Sequence, residues 1–391
     1  MSHDPAPGVT FFATAAKGTE GALRDELREL GLRGVKADRG GVAFTGGWRD
    51  GWRACLGSRV AMRVLAEVGS YPATDAASLY EGARGVEWER HVSSRTTIAV
   101  SVVGTTPALV HTGFSAQRVK DAIVDRVRDR EGARPSVDGD DPDVRVFARL
   151  KGGGATVYLD LAGAPLFQRG WRAASAEAPL KETLAAAVLR LSGWTIDQPL
   201  FDPMCGSGTI LIEAALASRR IAPGLFRARF GFERWASHGP EDAREVAALR
   251  AALDAEITAD APPIAGCDAD ASAVAAAEEN ARRARVKVAL SARPLSLARA
   301  PTTQGHVVTN PPYGKRLSRG AGLGDDLGDA MRRHGGHAFG VLTADDATLQ
   351  GTGRAWDRAF ELFNGDLRCR LALFGPVGGP GGGPRPRRIV R

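Results

Sequence analysis

The residues best suited to chemistry in this chain are Asn310, Pro311, Pro312 and Tyr313, which follow a short apolar stretch. Two successive prolines fix φ and remove two backbone N–H groups. The Asn310 amide oxygen and the Pro311 carbonyl oxygen then become rigid acceptors that converge on one point. Such a pair can hold the hydrogens of an exocyclic amine out of plane and free the nitrogen lone pair for attack, while the Tyr313 ring stacks on a planar group. These four residues are predicted to be catalytic, with a purely structural turn as the alternative.

A second group lies where a predicted strand turns into a helix, over residues 202–209 with the sequence Asp-Pro-Met-Cys-Gly-Ser-Gly-Thr. The glycines Gly206 and Gly208 let the backbone approach a ligand closely and tolerate positive φ. The first N–H groups of the helix point at the same crevice. The pattern predicts a polar ligand, although a tight structural turn explains a Gly-x-Gly sequence equally well.

An acidic residue, Asp268, follows the next predicted strand. At the carboxyl end of a neighbouring parallel strand, a carboxylate is placed to accept both hydroxyl hydrogens of a ribose. The competing role is capping of the helix that begins at residue 271. We assign that cap to Asp270, with Ser272 as the competing cap, and the ribose to Asp268.

The elements that position these residues alternate between strand and helix from residue 171 onward. Repeated units of this kind predict a doubly wound α/β domain with a parallel sheet covered by helices on both faces. Residues 1–65 and 66–170 are predicted to form two α+β units, the second with a hairpin across residues 151–154. The predicted domains are therefore 1–65, 66–170 and 171–374, with a helical insertion at about 219–260 that is expected to cover the rim of the site, and a disordered basic tail over 375–391.

Composition suits a soluble globular protein, with 43% hydrophobic and 25% charged residues. The net charge is +7, but Arg385, Arg387, Arg388 and Arg391 supply four of those charges, so charge alone argues weakly for nucleic acid. The four cysteines are scattered, and His334 and His337 lack a partner with ligand spacing, so no metal site and no disulfide framework are predicted. With no leader pattern and no long apolar run, the sequence predicts a cytoplasmic protein without membrane contact.

With residues 202–209, Asp268 and the Asn-Pro-Pro-Tyr turn assembled, the chain resembles the class I S-adenosylmethionine-dependent amino-methyltransferases. It resembles most closely the THUMP-containing RNA guanine-N2 methyltransferases of the bacterial 23S rRNA type, within the N6-adenine-specific-methylase-like family. Further matching stretches are residues 12–18, 158–166, 169–172, 178–186, 231–235 and 363–369. The resemblance covers nearly the whole chain.

The resemblance implies a ferredoxin-like unit over 1–65, a THUMP domain that grips RNA over 66–170, and a Rossmann-like catalytic domain. It implies S-adenosylmethionine as cofactor, with Asp202, Gly206 and Gly208 at its methionine part and Asp268 at its ribose. Cys205, Thr209, Thr183 and Asn310 complete the expected cofactor contacts, and the residues from Asn310 to Tyr313 are expected at the target base.

The implied reaction is direct methyl transfer to the exocyclic N2 of a guanine in 23S rRNA. A guanine in structured RNA must be splayed out to reach such a crevice. Phosphate contacts are expected from Lys151, Arg169, Arg172, Lys315 and Arg316, with an ordinary solvated surface as the alternative for each.

Other interpretations stay open. The same Asn-Pro-Pro-Tyr chemistry serves guanine N2 of tRNA, adenine N6 of nucleic acid or a protein glutamine amide. A catalytically weak RNA-binding or ribosome-assembly factor is a further alternative, because residues 289–296 lack the acidic side chain that the family has near the cofactor adenine. A nicotinamide dehydrogenase is a third alternative, but the Asn-Pro-Pro-Tyr turn would have no role in such an enzyme.

Overall fold

The computed structural model describes residues 8–173, 180–312, 322–377 and 388–390. Two compact units divide the chain. The first contains residues 1–14, 27–166 and 227–252, and the second contains residues 15–26, 167–226 and 253–391.

The strands are β1 Val9–Thr14, β2 Arg33–Asp38, β3 Gly41–Gly46, β4 Arg63–Pro72, β5 Thr97–Val103, β6 Ser136–Val137, β7 Val144–Lys151, β8 Gly154–Asp160, β9 Leu200–Asp202, β10 Ile264–Asp268, β11 Ala289–Ala292, β12 Gly305–Thr309, β13 His337–Thr343, β14 Arg358–Asn364, β15 Leu367–Phe374 and β16 Arg388–Val390. The helices are α1 Glu20–Glu29, α2 Trp48–Gly57, α3 Ala76–Gly85, α4 Thr112–Glu131, α5 Glu182–Leu191, α6 Thr209–Ser218, α7 Pro240–Ala255, α8 Ala271–Arg283, α9 Leu323–Arg333 and α10 Asp346–Gly351. None of the helices within these described ranges is long and apolar enough to cross a bilayer.

The first unit is built on one eight-stranded sheet in the order β2-β3-β1-β4-β8-β7-β5-β6. Strand β4 pairs with β1 through its first residues and with β8 along most of its length, across an irregularity between Glu67 and Gly69. Strand β4 thus spans the predicted boundary between residues 65 and 66, and its hydrogen bonds join the two predicted α+β units in one sheet. The predicted hairpin is present, because β7 and β8 pair antiparallel from Lys151 and Gly154.

Part of the helical insertion belongs to this first unit. The Phe232 ring stacks on Trp52 with 5.5 Å between centroids, and Trp235 meets Trp48 edge to face at 5.8 Å. Residues 227–252 of the predicted insertion are thus part of the first unit, and the expectation that the insertion covers the rim of the site stays a prediction. Large aromatic side chains gain most from full burial, and here they complete the core of the first unit.

The second unit carries an eight-stranded sheet in the order β11-β10-β9-β12-β13-β15-β14-β16. Strands β11, β10, β9, β12 and β13 run parallel, and β15 pairs antiparallel with both β13 and β14. The chain runs outward from β9 to β10 and β11, then returns to place β12 on the other side of β9. The predicted fold class, a Rossmann-like domain preceded by α+β units, is confirmed, and the reversal at β9 is where such sheets bind ligands.

The end of the chain differs from the prediction of a disordered tail over 375–391. Residues 388–390 form β16, which pairs in parallel with β14 from Arg358 to Phe360. A sheet edge presents unpaired N–H and C=O groups that can template another strand, which gives this short segment a partner. Residues 378–387 and residue 391 lie outside the described residues.

Three histidines, His306, His334 and His337, lie near one another in the second unit. Burial lowers the pKa of each ring, and the pKa of His337 is lowered further by His334. Below about pH 6.5 the unfolded chain takes up protons that the folded rings resist. Lowering the pH from 8 to 5 should therefore reduce the free energy of unfolding, by up to about 1.4 kcal/mol per pH unit for each ring that titrates.

Urea unfolding at several pH values measures this slope. His337→Leu should flatten it, while the same substitution at the exposed His111 should leave it unchanged. An identical slope in His337→Leu and the unsubstituted protein would contradict the assignment.

Candidate active site

The turn between β9 and α6 combines two glycines in the left-handed region, Gly206 with φ of 52° and Gly208 with φ of 82°. A Cβ at Gly208 would come within 3.0 Å of the Ala277 Cβ, so this glycine allows close packing against α8. At Gly206 an added Cβ would meet no described atom within 4 Å. The turn is therefore closed on the α8 side and open at Gly206, where a ligand can approach the backbone.

Two carboxylates hold this turn from the ends of neighbouring strands. The Met204 N–H donates to Asp202 Oδ1 at 3.1 Å, and the Gly206 N–H donates to Asp268 Oδ2 at 2.8 Å. The pKa of Asp202 is raised to about 7, mainly by burial; the neighbouring Thr309 hydroxyl and the Met204 N–H oppose this shift, and the charge of Asp268 adds to it. The site thus contains a buried carboxyl that titrates near neutral pH.

Asp270, as predicted, caps α8. Its side chain accepts from the Ser272 N–H at 2.8 Å. The competing assignment of this cap to Asp268 is wrong, because the two Asp268 oxygens accept instead from the Gly206 N–H and, at 3.0 Å, from the Asp270 N–H. Asp268 is therefore fixed at the end of β10 beside the glycine turn.

Asn310 follows β12 directly. Strands β10, β9 and β12 are parallel neighbours, so their carboxyl ends bring Asp268, Asp202 and Asn310 to one edge of the sheet. The Asn310 Oδ1 atom is buried and has no hydrogen-bond partner among the described residues. Pro311 is buried and Pro312 is exposed. The predicted Tyr313, with Lys315 and Arg316, lies outside the described residues.

Thr183 and Cys205 are buried beside these elements. Thr183 lies in the first turn of α5, and within the described ranges its Oγ1 has no hydrogen-bond partner. Cys205 lies within the glycine turn, and its backbone N–H donates to the Cys267 carbonyl at 3.0 Å. Burial, with the charges of Asp202 and Asp268, raises the pKa of the Cys205 thiol, which disfavours the thiolate form that acts as a nucleophile.

The prediction that Arg169 contacts RNA phosphate is wrong. Arg169 is 2% exposed and pairs with the buried Glu213 of α6 at 3.3 Å. A buried guanidinium needs a buried acid, since an unpaired charge there is costly. Lys151 lies exposed at the turn between β7 and β8, and its role stays a prediction.

Arg172, also predicted to contact phosphate, instead faces the glycine turn. Its guanidinium donates to Glu182 Oε1 at 2.7 Å, to Ser207 Oγ at 3.3 Å and to Thr209 Oγ1 at 3.0 Å. Asn280 of α8 reaches the same turn, with its Nδ2 donating to the Ser207 carbonyl at 3.1 Å. Sequence reasoning missed Asn280, since one Asn in an Ala/Glu-rich helix carries no distinctive spacing.

The described part of the chain contains neither a metal-binding cluster nor a disulfide. No cluster of three or more His, Cys, Asp or Glu side chains is arranged there to hold a metal ion. Cys55, Cys205, Cys267 and Cys369 are buried free thiols.

Residues 169–372, which contain the whole of this edge, match the RMKL-like methyltransferase domain. The chain belongs to this methyltransferase family. Residues 10–65 match the RlmL ferredoxin-like domain and residues 73–160 match the THUMP domain. The order of the three matches is the order predicted from the sequence.

Individual proteins resemble the chain over most of its length. It is 39% identical over 93% of its residues to the ribosomal RNA large subunit methyltransferase K/L of Aeromonas salmonicida, but covers only 54% of that protein. The chain thus spans about half the length of the curated relatives it matches. Among solved structures, SMU.472, described as a methyltransferase complexed with SAH, is 30% identical with a TM-score of 0.83, covering 95% of this chain and 99% of that one. A Listeria monocytogenes protein described as a predicted N6-adenine-specific DNA methylase is also 30% identical, with a TM-score of 0.84 and coverage of 94% and 97%.

Proposed function

We propose that this protein transfers a methyl group from S-adenosylmethionine to the exocyclic N2 of a guanine in 23S rRNA. One observation carries the proposal. The buried Oδ1 of Asn310, which has no hydrogen-bond partner among the described residues, lies at the same sheet edge as Asp202, Asp268 and the open face of Gly206. A buried acceptor without a partner is costly unless a ligand supplies the hydrogen.

The residues present fit S-adenosylmethionine. Asp268 offers carboxylate oxygens to the ribose hydroxyls, and Asp202 offers a buried carboxylate to the cationic methionine end. Gly206 and Gly208 bring the backbone of the turn to the cofactor, with Cys205 and Thr209 beside it. The Thr183 Oγ1, which has no partner among the described residues, is assigned to the same methionine end. When bound, S-adenosylmethionine supplies an electrophilic methyl group on a sulfonium.

The chain's own residues supply orientation. The Asn310 amide oxygen and the Pro311 carbonyl oxygen accept the two hydrogens of the target amine and direct its lone pair toward the crevice. Pro311 and Pro312 keep this pair of acceptors rigid, and Tyr313 is assigned to stack on the base. Positioning of this kind can supply most of the rate acceleration, and no strong general base is required because the amine becomes acidic as it is methylated.

The RNA assignment rests on the amino-terminal half. Residues 73–160 match the THUMP domain, and the relatives that cover the chain are named as ribosomal RNA methyltransferases. The exposed Lys151 on the β7–β8 turn is assigned to RNA phosphate. Structured rRNA is therefore the proposed substrate, with the target guanine splayed out of its helix.

The adenine end of the cofactor site departs from the family pattern. β11 ends at Ala292, and the following residues to Leu297 contain no acidic side chain. The Arg293 N–H donates to the Asp268 carbonyl at 2.8 Å, which fixes the start of this loop. We assign adenine recognition to backbone groups and apolar side chains of this loop, so the ribose contact through Asp268 becomes the main anchor on this side.

Cofactor binding tests this assignment directly. Calorimetry with S-adenosylmethionine should show binding to the protein, and Asp268→Ala should weaken it by at least about tenfold, since two charge-assisted hydrogen bonds are lost. Asp260→Ala, at an exposed aspartate before β10, serves as the control and should bind normally. Absent binding, or binding indifferent to Asp268→Ala, would favour a catalytically inactive RNA-binding factor.

The target is tested by mass spectrometry of nucleosides from rRNA and tRNA of a strain that lacks the gene. We expect N2-methylguanosine to disappear from one fragment of large-subunit rRNA and to return when the intact gene is restored. Loss confined to tRNA would move the assignment to a tRNA guanine-N2 methyltransferase. Loss of N6-methyladenosine instead would refute the choice of guanine.

A further inference from the structure

Arg172 uses its guanidinium to join three separate parts of the second unit. Besides Glu182, Ser207 and Thr209, it donates to the Leu180 carbonyl at 3.1 Å. These four bonds occupy four of the five N–H groups that an arginine carries. Its side chain is only 16% exposed. These bonds commit most of the Arg172 guanidinium to the protein itself, which argues against its predicted role as an RNA contact.

Ser207, between the two positive-φ glycines, is held from two sides. Its hydroxyl accepts from Arg172, and its carbonyl accepts from the Asn280 Nδ2. Asn280 also fixes the residue after Arg172, because its Oδ1 accepts from the Ala173 N–H at 2.9 Å. The glycine turn and the segment that follows residue 171 are thus fastened to each other and to α8.

The glycine turn needs such support. Gly206 and Gly208 lack side chains that could pack it in place, and the Gly206 side is open. Glycine also loses more conformational freedom on ordering than any other residue. Contacts to the side chains of Ser207 and Thr209 add to the hydrogen bonds by which Asp202 and Asp268 hold the turn.

Glu182 pairs its carboxylate with the Arg172 guanidinium, so this position requires a positive charge. Burial raises the pKa of Glu182, and the charge of Arg172 opposes that shift. A lysine could keep this charge pairing, but it has no planar fork to reach both hydroxyls at once. Arg172→Lys should therefore keep the ion pair with Glu182 and lose the hydrogen bonds to Ser207 and Thr209.

We propose that Arg172 is a positioning residue, which presets the 202–209 turn in the shape that binds the cofactor, with Asn280 as its second fastening. This inference rests on the proposed function, since it concerns the same cofactor site. It assigns residues 169–172, with the sequence Arg-Gly-Trp-Arg, to the cofactor site and not to the RNA-binding surface.

The test measures S-adenosylmethionine affinity by calorimetry, and steady-state kcat and KM for the cofactor with rRNA fragments as substrate. Arg172→Lys should raise the dissociation constant and the KM by about tenfold, the range expected for lost charge-assisted bonds. Its kcat at saturating cofactor and its KM for RNA should stay near those of the unsubstituted protein. Arg283→Ala is the matched control, because Arg283 donates to the Gly170 carbonyl in the same stretch but contacts neither turn hydroxyl.

A second comparison separates positioning from general stabilisation. Ser207→Ala alone should weaken cofactor binding. Combined with Arg172→Lys, it should cause little further loss of affinity, because both changes remove the same contact. Arg172→Met with Glu182→Gln should recover the melting temperature lost in Arg172→Met alone, since no unpaired buried charge remains, yet should still bind the cofactor weakly.

Several results would overturn the proposal. Unchanged cofactor affinity in Arg172→Lys and Arg172→Met, with binding intact in the unsubstituted protein, would refute the role of Arg172 alone. A rise in the KM for RNA with unchanged cofactor affinity would return Arg172 to the RNA side. Failure of the unsubstituted protein to bind S-adenosylmethionine would refute the proposed function together with this inference.

Discussion

Asn310→Ala is expected to lower the rate of methyl transfer by about 100- to 1000-fold, the range seen when one preorganised polar contact to a reacting group is removed. The physical reason is the loss of the buried Oδ1 that accepts a hydrogen of the target amine. Single-turnover transfer of labelled methyl groups to rRNA fragments measures the effect.

Two further variants make this result specific. Asn310→Asp keeps an acceptor oxygen at the same position and should retain more activity than Asn310→Ala. Asn364→Ala, at the end of β14, should be as active as the unsubstituted protein. Full activity in Asn310→Ala would remove the central element of the proposed chemistry.

The pH dependence of cofactor binding is expected to follow Asp202. Its pKa lies at about 7 because burial disfavours the ionised form, whereas the ammonium and sulfonium charges of S-adenosylmethionine favour ionisation. Below pH 7 the cofactor must bind with loss of a proton, so affinity should fall by up to about tenfold per pH unit. Above pH 7 the carboxylate is already ionised and affinity should level off.

Calorimetry in buffers of different ionisation enthalpy measures the proton released. Asp202→Asn should bind more weakly above pH 7 and lose the dependence on pH, while Asp197→Asn, at an exposed aspartate before β9, should keep it. S-adenosylhomocysteine lacks the sulfonium charge. Titration with it shows how much of the pH dependence of affinity comes from the sulfonium and how much from the ammonium group. A pH profile unchanged in Asp202→Asn would assign the titration to another residue.

The sheet edge is predictable from the sequence because its signals are local. Each of β9, β10 and β12 is a short apolar stretch that ends at a polar residue, which assigns Asp202, Asp268 and Asn310 to strand ends. Because the ends of parallel strands meet at one edge of a sheet, the sequence alone brings these three residues together. The cap at Asp270 follows from equally local chemistry.

What could not be predicted depends on contacts between distant residues. Arg172 meets Ser207 and Thr209 across 35 and 37 positions, and Asn280 meets Ala173 across 107. An arginine near a Trp looks the same in sequence whether it faces phosphate or a buried Glu. The strand at residues 388–390 escapes prediction for a similar reason, since its partner β14 lies outside the Gly/Pro-rich stretch.

Residues 227–252 complete the first unit from within the sequence of the methyltransferase domain. During synthesis, the aromatic cluster of Trp48 and Trp52 must wait for Phe232 and Trp235 to leave the ribosome, by which time β9 and α6 have already emerged. A gene fragment that stops at residue 168 would therefore encode an unfinished core. Anyone grafting the first unit onto another domain must therefore include residues 227–252.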